Sequence, residues 1–255
     1  MNESRANALE MRNLTVSFGR KDSVVPALQS VSLAVPEGGI FGFIGPNGAG
    51  KTTAMHVLLG FIKAVSGEAY VLGTDVRKTI ARERIGYLPE RPVAYRFLSG
   101  RELLVFSGRL FGMKGPEIEK RIKSVLHQVD LEHDASRRIA TYSRGMLQRI
   151  CLAQTLINDP DLVILDEPTS GMDPVGRTKI RRIVEDLRER GKTVFFSSHE
   201  LSEVETVCDR VAIIVDGKII AEGEIDEIVE KGESLEKHFL KTVGAIGGNN
   251  TGEQT

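Results

Sequence analysis

Apolar positions come in short runs bounded by glycine and proline, alternating with longer stretches in which they recur every three or four residues. That alternation predicts a sheet with helices packed on it. Leu14, Val16 and Phe18 alternate with polar Thr15 and Ser17, the period of a half-buried strand. Val31 to Val35 is a second short strand, and the near-continuous apolar run Ile40 to Ile44 suits a strand covered on both faces. That run leads straight into a glycine-rich segment.

Between the Pro89 region and Ile157 the pattern becomes helical. Ser99-Gly100-Arg101-Glu102 has the form of a capping box, in which hydroxyl and carboxylate satisfy the free amides of a helix start. Leu103, Leu104, Phe106, Leu110 and Phe111 follow as its apolar residues. Pro116 suits the opening of a second helix, along which Ile118, Ile122, Val125, Leu126 and Val129 share a face. Strand character returns at Leu162 to Leu165 and at Thr193 to Ser197. A helix with Ile180, Ile183, Val184 and Leu187 on one face lies between them, making a βαβ unit. Arg210 to Val215 and Lys218 to Glu222 flank Asp216-Gly217, a pair suited to the positive φ angles of a type I′ hairpin turn. The folded part is expected to end near Leu240, with residues 241–255, rich in Gly, Asn and Thr, as a loose tail.

A chain of 255 residues can form one large α/β domain with an inserted lobe, or two small domains. Its 34 Lys and Arg nearly balance 35 Asp and Glu, so no general attraction to nucleic acid or an anionic membrane is expected. Cys151 and Cys208 are far apart and lie in apolar runs, which reads as two buried thiols in a reducing compartment. MNESRANALE has no apolar signal core, and no stretch approaches the ~20 apolar residues of a membrane span. Any link to a membrane is therefore expected to run through a partner.

Gly45-Pro46-Asn47-Gly48-Ala49-Gly50-Lys51-Thr52, followed by Thr53, matches G-x-x-x-x-G-K-[ST] between an apolar strand and a helical segment. The glycines let backbone amides curl around phosphate, and the helix start adds its partial positive charge. Lys51 then reaches the β and γ phosphates while Thr52 offers a hydroxyl to Mg²⁺. A plain strand-to-helix turn has no use for Lys51 beside Thr52. Leu162 to Leu165 delivers Asp166 and Glu167 at the carboxyl end of a strand, where open α/β sheets bind ligands. Asp166 suits the metal, and Glu167 can polarise water for attack on the γ phosphate. Alone, the pair could equally cap the next element. No N-K-x-D guanine-reading motif is present.

The stretch from Thr141 to Pro174 resembles the ABC ATPase family. The signature segment Tyr142-Ser143-Arg144-Gly145-Met146 precedes the Asp166-Glu167 strand, and Ser170-Gly171-Met172-Asp173 follows it. The resemblance covers about Leu9 to Gly223. It implies an α/β fold of the P-loop NTPase (RecA-like) type, with an antiparallel β subdomain and an inserted α-helical lobe. The core lobe is expected over about 1–90 and 155–223, the helical lobe over about 91–154, and a carboxyl-terminal extension over 224–240.

The same resemblance implies ATP and Mg²⁺ as ligands and assigns His199 as the switch histidine on the γ phosphate. In isolation His199 is an ordinary strand-end residue. Phe18 falls where the family offers a ring to adenine, although it also continues the Leu14 and Val16 face and could be core. Arg144 and Met146 replace the first glycine and the glutamine of the usual signature, leaving Ser143 and Gly145 to grip the nucleotide of a facing subunit. Glu90 stands where a glutamine usually contacts the metal; a carboxylate can still meet Mg²⁺ but adds negative charge. This set resembles subunits that serve ABC-2 type exporters. Implied partners are a second copy or a homologous ATPase and an integral membrane permease received near Glu90 to Phe106, with Tyr95, Phe97 and Leu98 as contacts, and no nucleic acid. The protein would then be cytoplasmic, peripheral on the membrane's cytoplasmic face. The rival expectation is a soluble ABC ATPase driving protein assembly or a nucleic-acid process.

Overall fold

The strands and helices follow the apolar periodicity, and where they depart from it a bulge or a small residue is responsible. The computed structural model describes residues 6–19, 23–229 and 233–248, with 242–248 as backbone only. The described residues form two compact units, one of those up to Arg82 together with those from Phe195 on, the other of residues 83–194.

The first unit contains β1 (Asn7–Phe18), β2 (Val25–Pro36), β3 (Gly39–Ile44), α1 (Lys51–Leu58), β4 (Ser66–Val71) and β5 (Thr74–Asp75). The second contains β6 (Ile85–Leu88), α2 (Gly100–Leu110), α3 (Gly115–Gln128), α4 (Arg144–Thr155), β7 (Leu162–Asp166) and α5 (Pro174–Glu189). The division falls within β8 (Thr193–Ser198). The chain then adds α6 (Leu201–Val207), β9 (Arg210–Val215), β10 (Lys218–Glu224), α7 (Ile225–Ile228) and α8 (Leu235–Gly248) to the first unit.

In the first unit β2, β1, β4 and β5 form an antiparallel sheet in that order. β1 begins well before the Leu14 alternation, because a bulge hides its first half. Leu9 and Met11 are buried at odd positions, and Leu14 and Val16 at even ones. The register shifts between Met11 and Leu14, where Asn13 has φ 49. One extra residue in a strand reverses which face its side chains take. β3 lies parallel to β9, and Phe195 of β8 packs on Phe41 and Phe43 with ring centroids 5.9 and 5.3 Å apart. Asp216 and Gly217, at φ 47 and 74, turn β9 into β10 as a type I′ hairpin requires.

In the second unit β6 and β7 pair in parallel from Ile85↔Leu162 to Leu88↔Leu165. The capping box forms: Glu102 N–H donates to Ser99 Oγ at 3.2 Å, and Ser99 N–H to Glu102 Oε2 at 2.7 Å. Ile118, Ile122, Val125, Leu126 and Val129 are all buried. The apolar residues of α2 divide differently. Leu103 and Leu104 are buried, whereas Phe106, Leu110 and Phe111 are 40, 72 and 50% exposed. A small residue helps decide which face turns inward. Gly108 is buried, and a Cβ on it would stand 3.0 Å from Ile118 Cγ1, so α3 approaches on that side while the large apolar side chains stay exposed.

Both cysteines are free and buried, and burial pushes the Cys151 thiol up to about 12. The composition places the end of the folded part near Leu240; α8 instead continues to Gly248. Leu235 is buried, Lys241 Nζ pairs with Glu233 at 2.6 Å, and helix formers are interspersed among glycines that weaken the helix without stopping it. The remainder of the expected tail, residues 249–255, lies outside the described residues.

Candidate functional site

The phosphate loop is built in the first unit from the end of β3. Gly45 is required by close approach: a Cβ there would lie 2.1 Å from Ile214 O on β9. Gly50, which caps α1 at φ 106, would bring a Cβ to 2.5 Å from Ala27 O. Ala49 N–H donates to Pro46 O at 3.2 Å, and Gly217 N–H to Ala49 O at 3.0 Å, tying the loop to the β9–β10 turn. Pro46, Asn47 and Gly48 form its exposed tip. Lys51 is only 6% exposed, and its ammonium donates to Gly45 O at 2.7 Å and Pro46 O at 3.2 Å. The lysine thus arches back along the loop whose amides would receive phosphate. Thr52 is exposed and Thr53 half-buried in the first turn of α1.

Two further residues of this unit stand out in the sequence. Phe18 is 47% exposed although Leu14 and Val16 are each 1%, so its ring is not core. His199 follows β8 and is exposed.

The second unit supplies the acidic group. β7 is buried along its length, with Asp166 2% and Glu167 9% exposed. Glu167 has φ 49. Left-handed backbone at a non-glycine residue costs roughly 1–3 kcal/mol and persists only where surrounding contacts hold it. Ser170 N–H donates to Glu167 O at 3.1 Å, and Gln148 Nε2 to Pro168 O at 2.9 Å. Burial pushes the Tyr87 phenol up to about 12, with the charge of Asp166 adding to the effect.

Ser143 caps α4, its Oγ accepting from Met146 N–H at 3.2 Å while the hydroxyl proton remains a donor. Gly145 follows in the first turn. Asp173 caps α5 in the same manner, accepting from Gly176 N–H at 2.7 Å. Glu90 is exposed beside Arg91, at 3.7 Å, a surface pair of little energetic weight. The links from Arg144 and Gln148 to the loop after Glu167 had no signal in the apolar pattern, since both are polar residues bonding to backbone carbonyls.

The Thr52 hydroxyl of the first unit and the Asp166 carboxylate of the second are each hard oxygen donors of the kind Mg²⁺ takes.

A glycine loop opening a helix with a buried lysine, together with a strand ending in two carboxylates, defines a P-loop nucleotide-binding protein. The chain matches the family model described as ABC transporter over residues 28–170, and it belongs to that family. It is 44% identical over 214 residues to an ABC transporter ATP-binding protein of Synechocystis, covering 83% of this chain and 60% of that one. The Nod factor export ATP-binding protein I of Rhizobium meliloti is 40% identical over 226 residues, 88% of this chain and 66% of the relative. The chain thus spans about 60% of the length of the Synechocystis relative. The dimeric ATP-binding cassette MJ0796, in a post-hydrolysis state bound to ADP and Pi, superposes with a TM-score of 0.77 at 26% identity, covering 85% of this chain and 98% of the cassette. The fold is that of the ATP-binding cassettes.

Proposed function

We propose that the chain binds and hydrolyses ATP as the nucleotide-binding subunit of an ABC transporter, coupling closure of a head-to-tail dimer to translocation, in the export direction, by a separate membrane permease. The phosphate loop carries the proposal, because Lys51 is already held against Gly45 and Pro46 where a nucleotide's phosphates would enter. Gly45 to Thr53 bind the phosphates, Phe18 stacks on the base, Thr52, Asp166 and Glu90 serve the metal, and Glu167 orients water with His199 on the γ phosphate. Mg²⁺ supplies charge neutralisation on the phosphates when bound. Ser143 and Gly145, at the start of α4, grip the nucleotide of the facing copy, so a lone subunit has half a site. The dimeric state of the MJ0796 cassette and the export role in the name of the Rhizobium relative support this assignment.

Among the described residues no helix is long and apolar enough to cross a membrane. The permease contact is assigned to the exposed rings of the second unit. Tyr95 and Phe97 are 53 and 68% exposed, and Tyr95 stands 5.8 Å from Phe97 and 5.9 Å edge-on from Phe106. The same unit holds a cavity of about 360 Å³ lined by residues that include Pro89, Pro92, Val93, Leu110 and Phe111. An apolar helix seated there is held largely by contact that salt does not screen. In its native cell a tagged copy should sediment with membranes and stay there through a high-salt wash. Changing Tyr95 and Phe97 together to Asp should release it while leaving ATP binding intact. A wild-type protein found wholly in the soluble fraction and bound to ribosomes or nucleic acid would overturn the permease assignment.

Glu90→Gln should keep ATPase activity within about threefold of wild type, since the amide retains an oxygen for the metal and removes a charge from beside phosphate. Steady-state phosphate release measures this; complete loss would assign the carboxylate a duty of its own.

A further inference from the structure

We propose that Arg144 is a positioning residue that locks the loop after Glu167 onto α4 and so sets the water-orienting carboxylate for hydrolysis, with the ATPase role above as its premise. Arg144 opens α4, and its Nη2 donates to Ser170 O at 2.9 Å. Gly171 sits beneath it at φ 64: a Cβ there would fall 2.4 Å from both Nη1 and Nη2, so the guanidinium lies against the glycine backbone. The next residue, Met172, lies close to the starts of both helices. Its Cε stands 3.6 Å from where a Cβ on Gly145 would be, and 2.9 Å from one on Gly176 of α5. One turn along α4, Gln148 holds Pro168 O at 2.9 Å.

The loop from Pro168 to Met172 is therefore gripped from one side by α4, and Ser170 closes it back onto Glu167 O. This matters because Glu167 itself holds φ 49, a conformation that survives only where neighbours over-determine it. A guanidinium suits this position because its planar fork can donate to a carbonyl while its face covers a glycine, which a lysine ammonium cannot do. Charge on α4 would also suit a direct grip on phosphate. The observed engagement of the guanidinium with Ser170 and Gly171 favours the positioning role.

The two roles separate in steady-state ATPase assays of wild type, Arg144→Lys, Arg144→Gly, Gly171→Ala and the Arg144→Gly, Gly171→Ala double variant. Each single change should lower kcat on the order of ten- to a hundredfold with KM for ATP within about twofold, because the carboxylate shifts while ground-state binding does not. Arg144→Lys should fail to rescue, and the double variant should be no worse than Arg144→Gly, the signature of one shared contact. A raised KM with unchanged kcat, rescued by Arg144→Lys and absent in Gly171→Ala, would assign the guanidinium to phosphate and overturn the proposal. Unchanged kinetics in all variants would overturn it as well. Wild-type protein without ATPase activity would instead refute the premise. Since Arg144 and Ser170 meet at the surface, thermal melts of the Arg144 variants should stay near wild type. Gly171→Ala, which puts alanine at φ 64, should melt lower but remain folded at the assay temperature, which the melt verifies before its kinetics are read.

Discussion

Glu167→Gln is expected to slow ATP turnover by roughly 10²–10⁴-fold, about 3–5 kcal/mol of transition-state stabilisation, while leaving ATP affinity nearly unchanged. The carboxylate that orients water is lost, and the phosphate loop lies on a different segment of chain and keeps its grip. Because hydrolysis is what reopens the proposed dimer, the variant with ATP and Mg²⁺ should elute on size exclusion as a dimer and without nucleotide as a monomer. Normal turnover from a persistent monomer would refute both the role of Glu167 and the nucleotide sandwich. A companion change separates chemistry from strain. Glu167→Gly removes the carboxylate but accommodates φ 49 without steric cost, so it should be inactive and melt no lower than Glu167→Gln.

Lys51→Ala acts earlier, on binding. The ammonium is nearly buried and donates to Gly45 O and Pro46 O, so the change removes a charge for the phosphates and also the brace that holds the loop in its curled shape. Loss of charge-assisted hydrogen bonds of this kind costs about 3 kcal/mol, more than about a hundredfold in Kd. Isothermal titration with ATP should therefore show weak binding or none, and no dimer should form even on a Glu167→Gln background. Affinity equal to wild type would remove the phosphate loop from the site.

How much of the fold and site is legible along the chain depends on how local the determinant is. The glycine-rich turn from β3 into α1, the strand that ends at Asp166, the Ser99 capping box and the Asp216-Gly217 turn all depend on residues within a few positions of one another, and their local geometry forms as expected. The strand alternation at Leu14, Val16 and Phe18 is visible for the same reason. It misleads twice: the bulge at Asn13 hides the first half of β1, and the same period places Phe18 with residues far more buried than itself. Periodicity reports which face a side chain takes and is silent on whether that face is covered.

The sequence by itself determined the kinds of element that carry the proposed nucleotide-binding segments. Glycine at a left-handed turn, lysine at a helix start and carboxylates at a strand end act through short-range geometry. Tertiary structure alone decided three other things. The side chains of Phe106, Leu110 and Phe111 stay exposed while α3 packs against α2 at Gly108, where a Cβ would meet Ile118 at 3.0 Å. Glu167 takes a left-handed backbone that its own side chain disfavours, in a loop held by residues of α4. Arg144, a departure from the usual signature when read along the chain, meets Ser170, 26 residues away in sequence, and Gly171, the contact on which its proposed role rests. The physical reason is common to all three: these outcomes depend on which surfaces meet and how closely, and a linear pattern of polar and apolar positions holds no record of that distance.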